Sequence, residues 1–281
     1  VQIGNVKDQI KYFNELEKRK ETVIKTIEEA GKMTPELKKR IDNCINATEL
    51  EDIYLPYKPK RKTKASIAIE KGLEPLAIIL FAQQDVNANE EAAKYITDQV
   101  KDNAEALQGA RDIMAEWIAE NETARNTVRK IFTESAIFSS RVLTTKKDEE
   151  DAQKYRDYFA YKEPLANCPS HRIMAIRRGE KEGFLIMDIN IEKESSIDEL
   201  KRKFITVHNE ASQQVGLAIE DSFSRLLKPS IETEFRMLSK TKADEEAIKV
   251  FAENLRQLLL ASPLGQKRIM AIDPGFRSGC K

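Results

Sequence analysis

Apolar residues recur at helical spacing along most of this chain. Ile3, Val6, Ile10, Phe13, Leu16, Val23, Ile24 and Ile27 follow one another at near 3.5-residue intervals, with Lys and Glu between them. That period lays an apolar stripe along a helix and does not fit the alternation of a strand. The pattern slips after Leu16 and lacks three clean heptads, so it favours a helix packing within its own domain over a long coiled coil. Gly31 stands where a C′ glycine would end the helix. Thr34-Pro35-Glu36 then reads as a new start: Thr as N-cap, Pro in the first position, an acid in the first turn.

The same logic places further elements. Thr48 with Glu51 fits a capping box for a short helix through Tyr54. Helices are expected at about 65–71, closed by Gly72, and at 74–81, 90–100, 103–120 and 122–134. Trp117 sits at helical spacing from Ile113 and Met114 and reads as core. Tyr155, Tyr158, Phe159 and Tyr161 read as the packing face of a helix. Pro169-Ser170 opens a helix reaching Gly183, and Phe184–Ile191 alternates as a strand, with a partner either in Ile137–Leu143 or elsewhere in the full-length protein. Ser195-Ser196 starts another helix. Two more cover about 207–228 and 230–261, separated by Lys228-Pro229-Ser230. The second carries Ile231, Phe235, Leu238, Ile248, Phe251, Leu255 and Leu258 as its apolar stripe.

With 10 Gly and 9 Pro in 281 residues and 33% charged residues, the composition is that of helices. The expected fold class is mainly α: an elongated multi-helical N-terminal region, a helix-turn-helix-like central part and a short β element. The charge run Lys146–Asp151 and the linker Ser262-Pro263-Leu264-Gly265 suggest boundaries, giving regions 1–145, 146–264 and 265–281. The chain starts at Val1 without a Met and stops inside a strand-like stretch, so the expectation is a piece of a longer protein.

Net charge is zero, so any polyanion would have to be held by local patches. The densest patch follows Pro56 and Pro59, which favour an extended loop. From Lys58 to Lys71 there are six basic residues (Lys58, Lys60, Arg61, Lys62, Lys64, Lys71) and one acid, Glu70. Such a loop is either a solvated surface or a track for phosphates. Arg172, Arg177 and Arg178 form a second basic group. Arg125, Arg129 and Lys130 fit a nucleic-acid surface or an ordinary solvated face equally well.

Three scattered cysteines suit a reducing compartment, and with two histidines they offer no metal-ligand spacing. No apolar run approaches the roughly 18 residues of a membrane span. Phosphate-loop, dinucleotide and nucleophile-elbow motifs are absent from the sequence. No cofactor, membrane partner or catalytic activity is expected.

Two phrases carry a family resemblance. Tyr54–Ala65, Y-L-P-Y-K-P-K-R-K-T-K-A, followed by E-K-G-L-E-P-L, resembles the N-terminal region of bacterial Tex proteins, which are transcription accessory factors. Ile269–Lys281, I-M-A-I-D-P-G-F-R-S-G-C-K, resembles the first strand of the YqgF, RNase H-like domain that follows in that family. The resemblance implies a nucleic-acid partner, RNA or DNA, met through backbone contacts, and proximity to the transcription machinery. It places Asp273 at the first-carboxylate position of an RNase H-like fold, without the other carboxylates such a site needs. A protein-interaction scaffold docking the transcription machinery remains the alternative, followed by part of a metal-dependent RNase H-like nuclease.

Overall fold

The computed structural model describes residues 2–263, 265–272, 274–275 and 279–280. It is mainly α, with one three-stranded antiparallel sheet. Two apolar cores organise it, one built from residues 16–54 and a larger one from residues 65–243.

The small core holds α1 (Gln2–Glu29), α2 (Pro35–Asn43) and α3 (Ala47–Tyr54). Leu16, Val23 and Ile27 of α1 bury against Leu37, Ile41, Leu50 and Ile53. Gly31 ends α1 at φ +66°, and Lys32 N–H reaches back to Ile27 O at 3.1 Å. Thr34 caps α2 as expected, accepting from Leu37 N–H at 3.2 Å. The cap of α3 is different. Asn46 Oδ1 accepts from Thr48 N–H at 2.8 Å, so Thr48 is inside the helix, and Glu51 is held by Arg19 at 2.6 and 3.0 Å. The first half of the α1 stripe is also unlike the expectation. Val6, Ile10 and Phe13 are exposed, and only the second half packs.

The large core begins with α4 (Lys64–Glu70) and α5 (Glu74–Phe81), which lie on α7 (Asn103–Glu120). Gly109 permits the close crossing with α4: a Cβ there would sit 3.3 Å from Ala68 Cβ. Trp117 is half-buried edge-on to Phe81, at 5.7 Å between centroids. α6 is shorter than expected (Ala88–Ala93), because the chain turns at Thr97–Val100. α8 (Glu122–Ser135) leads into the sheet.

The strands β1 (Ile137–Val142), β2 (Ala160–Pro164) and β3 (Leu185–Asn190) run in the order β2-β1-β3. The expected pairing of β1 with β3 is present, with Phe138 opposite Ile189 and Ser140 opposite Met187. β2 is a strand where a helix was expected. Tyr155 and Tyr158 lie on 3-10 turns, whereas Tyr161 is already extended and meets Tyr158 edge-on at 5.7 Å. The charge run at Lys146–Asp151 therefore lies between two strands of one sheet, on the surface.

α9 (Ser170–Lys181) covers β3, and α10 (Lys193–Phe204) follows. Glu192, not Ser195 or Ser196, caps α10 by accepting from Ser195 N–H at 2.8 Å. α11 (Glu210–Ser222) continues through a π-helical segment, Phe223–Leu227, into α12 (Lys228–Leu259). The expected break at Lys228-Pro229-Ser230 is not a break. Pro229 has no N–H to give, and the wider turn before it absorbs the missing bond. No turn separates these helices, so the helix-turn-helix reading has no support at this pair. Along α12, Ile231, Ser239 and Ala243 are buried, while Ile248, Phe251, Leu255 and Leu258 are exposed. The strand expected near Lys267 does not form over 267–272, whereas Pro274–Gly275 and Gly279–Cys280 form a short antiparallel pair. Asp273 lies outside the described residues.

Candidate nucleic-acid interface

The basic loop is less free than its sequence suggests. A 3-10 turn at Leu55–Tyr57 delivers an extended segment to Thr63, which caps α4 reciprocally with Ser66. The segment runs beside the end of α7. Lys60 Nζ is shared by Glu116, at 2.6 Å, and Glu120. Lys62 faces Glu70 at 3.4 Å, and Lys71 meets Glu105 at 2.6 Å. Among the described residues, Lys58, Arg61 and Lys64 are exposed and make no ion pair. Half of the loop's positive charge is thus met inside the protein. Burial opposes the charge on Lys60, yet its hydrogen bonds to both carboxylates hold the ammonium above the ordinary lysine range. Burial pushes the Glu120 carboxyl up in spite of Lys60. The two directions agree once one ammonium is shared between two crowded carboxylates.

On α9 the three arginines part company. Arg172 turns to β2. Its Nη1 donates to Glu163 Oε2 at 3.0 Å and to Tyr161 OH at 3.3 Å, with the guanidinium over the Tyr161 ring. Tyr161 and Glu163 both hold the guanidinium charged, so Arg172 is engaged. Arg177 and Arg178 face the other way, into a groove of about 700 Å³ between α9 and α12.

Lys181 and Lys240 line the same groove, as do Glu180, Glu182 and Asp244. Each of these acids is already occupied. Glu180 pairs with Arg236 at 3.1 Å, Glu182 with Lys154 at 2.6 Å, and Asp244 with Lys240 at 3.3 Å. Arg177 donates only to a backbone carbonyl, Arg236 O, at 3.1 Å. Arg177, Arg178 and Lys181 make no ion pair among the described residues, which leaves the groove with a surplus of positive charge. Gly179 sets α9 in place: a Cβ there would come within 2.6 Å of Leu185 Cδ1. Arg177 and Arg178 were readable as a basic run, and Lys181 follows at helical spacing. Lys240 arrives from a distant helix, and no local signal could have added it.

Arg125 and Arg129 fit neither sequence reading. Neither is a solvated face or an open nucleic-acid surface. Both are enclosed by Asp52 of α3 and Glu234 of α12. No group of three His, Cys, Asp or Glu suited to a metal occurs among the described residues, and no described helix is long and apolar enough to cross a membrane.

Residues 83–251 match the model of the Tex central region-like family, a span that includes α9, most of α12 and their groove. The chain is 40% identical to the uncharacterized protein YdcI of Bacillus subtilis, over all of this chain and 40% of the relative. It is 37% identical to the transcriptional accessory protein Tex of Neisseria gonorrhoeae, over all of this chain and 38% of that protein. It is 31% identical to the human S1 RNA-binding domain-containing protein 1, over 99% of this chain and 29% of that one. The chain spans about two fifths of the length of its bacterial relatives. The helical core, the small sheet and the matched span together make this chain a member of the Tex family.

Proposed function

We propose that this chain is a non-catalytic, nucleic-acid-binding section of a cytoplasmic transcription accessory factor, and that it holds a sugar–phosphate backbone in the groove between α9 and α12. The observation that carries the reading is the groove's charge balance: its acids are paired, while Arg177, Arg178 and Lys181 are not. Unpaired cations along a concave surface meet phosphates without reading bases. Lys58, Arg61 and Lys64 serve as auxiliary contacts. The names of the relatives, one an accessory protein in transcription and another an S1 RNA-binding domain protein, support the same class of partner.

The test is fluorescence anisotropy with single-stranded RNA and duplex DNA across a salt series. Wild type is compared with Arg177→Glu/Arg178→Glu/Lys181→Glu and with Lys58→Glu/Arg61→Glu/Lys64→Glu. Each lost phosphate contact flattens the salt slope by about 0.7 on single strands and about 0.9 on duplex. The groove variant is expected to lose more affinity than the loop variant. Equal binding by wild type and the groove variant overturns the reading.

A second reading has its own observation. Val6, Ile10 and Phe13 on α1, and Ile248, Phe251, Leu255 and Leu258 on α12, are exposed apolar stripes. Stripes of that kind suit a protein-docking scaffold for the transcription machinery. Absence of any nucleic-acid binding at low salt, with capture of a transcription component, would favour it.

A further inference from the structure

Residues 2–57 have a core of their own, and they meet the rest through ion pairs and a small contact of Leu55–Tyr57 with α7. Leu16, Val23, Ile27, Ile41 and Leu50 pack on one another, and their cluster does not merge with the large core that starts at Ala65. Among the described residues, every side-chain hydrogen bond from residues 1–57 to residues 65–259 is an ion pair. Arg40 meets Glu122 at 2.8 Å at the exposed edge. The centre is a clasp. Arg125 Nε donates to Asp52 Oδ1 at 2.7 Å, and Arg129 Nη2 donates to the same oxygen at 2.8 Å. Glu234 closes it from α12, accepting from Arg129 Nε at 2.7 Å and also from Arg125. Two arginines and two carboxylates balance to zero charge.

We propose that residues 1–57 form a folded arm, latched to the body by this clasp, that leaves as a unit when the clasp opens. The physical case has three parts. Asp52 and Arg125 are almost fully enclosed, so a half-open clasp would strand buried charges; the arm is either seated or released. Hollows of about 500 and 340 Å³ flank the clasp, both lined by Asp52, Arg129 and Glu234, so water and salt reach its Arg129–Glu234 edge while Asp52 and Arg125 stay enclosed. The connection is the extended segment Lys58–Thr63; Lys60 fixes it to Glu116 and Glu120 of α7, so the arm pivots ahead of that anchor, at Lys58-Pro59, without unfolding either core.

The protein's single tryptophan reports on the joint. Trp117 lines a hollow of about 360 Å³ together with Ile53, Tyr57 and Glu120. Release of the arm bares it to water. The experiment follows Trp117 emission and amide hydrogen exchange of the whole chain as NaCl rises from about 0.05 M to about 1 M, where screening length falls to roughly 3 Å. Expected is a red shift of Trp117, with faster exchange in residues 1–57 while α7 and β3 stay protected. Asp52→Asn should show the same separation already at low salt. A clasp made apolar, Asp52→Leu/Arg125→Met/Arg129→Met/Glu234→Met, should keep the arm seated at every salt concentration. The proposal is overturned if arm and body lose protection together in wild type or in Asp52→Asn. It is equally overturned if the arm stays protected in high salt, or if the apolar clasp responds to salt as wild type does.

Discussion

Asp52 and Arg129 stand 77 positions apart in the chain, yet Arg129 Nη2 donates to Asp52 Oδ1 at 2.8 Å. A second nitrogen of the same guanidinium reaches Asp52 Oδ2, so the contact is bidentate. Partial burial opposes the guanidinium charge, but Asp52 and Glu234 hold it firmly charged, above the ordinary arginine range.

Removing one member of this group leaves the others uncompensated. Arg129→Met is expected to destabilise the protein by about 3 kcal/mol, because Asp52 and Glu234 would be enclosed with too few donors. Arg129→Lys should recover little of that, since an ammonium cannot span both carboxylates in one plane. Urea denaturation of both variants measures the difference.

Lys60 was expected to serve phosphates and instead serves Glu116 and Glu120. Lys60→Ala should cost about 1 kcal/mol by leaving two carboxylates side by side, while reducing nucleic-acid affinity little. Thermal unfolding and anisotropy on the same variant separate the two effects.

Glu120 gives the pH dependence a sign. Its folded-state carboxyl is lifted by burial, so the protonated form is favoured by folding. That contribution is fully present below the unfolded carboxylate value of about 4.3 and is lost as pH rises through the folded value. Glu120→Gln imitates the protonated form. It should raise the unfolding midpoint at neutral pH and lose this advantage near pH 4. Unfolding curves at the two pH values decide it.

Gly179 and Gly216 should respond oppositely to alanine. At Gly179 a methyl meets Leu185 Cδ1 at 2.6 Å and Tyr155 Cδ1 at 3.2 Å, so overpacking of about 1–3 kcal/mol is expected, with a shift of Arg177 and Arg178. At Gly216 the nearest atom is 3.6 Å away, and Gly216→Ala should stabilise α11 by up to about 1 kcal/mol. Denaturation midpoints check both, and anisotropy checks the first.

Burial pushes the thiols of Cys44 and Cys168 up, which lowers their thiolate fraction. Both should alkylate more slowly in the native protein at pH 8 than in urea. Cys44, the more enclosed of the two, should be slower. Peptide mapping after timed iodoacetamide treatment gives the rates.

Some of this was legible from local chemistry. Thr34 and Pro35 start a helix, Gly31 and Gly72 end two, and the alternation of Leu185, Met187 and Ile189 makes a strand. Each of those signals is read by neighbours within four residues, so a sequence window contains both sides of the interaction. Asn46 outcompeted Thr48 as the cap of α3 because it sits one step outside the helix. Pro229 did not stop its helix because a π turn before it removed the need for its N–H. Tyr161 joined a strand because β1 offered a free edge.

The sequence by itself determined the helical class, most helix ends, the strand pair and the membership carried by two phrases. It also marked where basic residues are dense. Only the tertiary structure decided which of those charges remain available. Lys60, Arg125, Arg129 and Arg172 are met by carboxylates, and for all but Arg172 these come from segments 50 or more positions away. Arg177, Arg178 and Lys181 are not. Ion pairing depends on distance in space, and a charged residue's partner leaves no mark in its own stretch of chain.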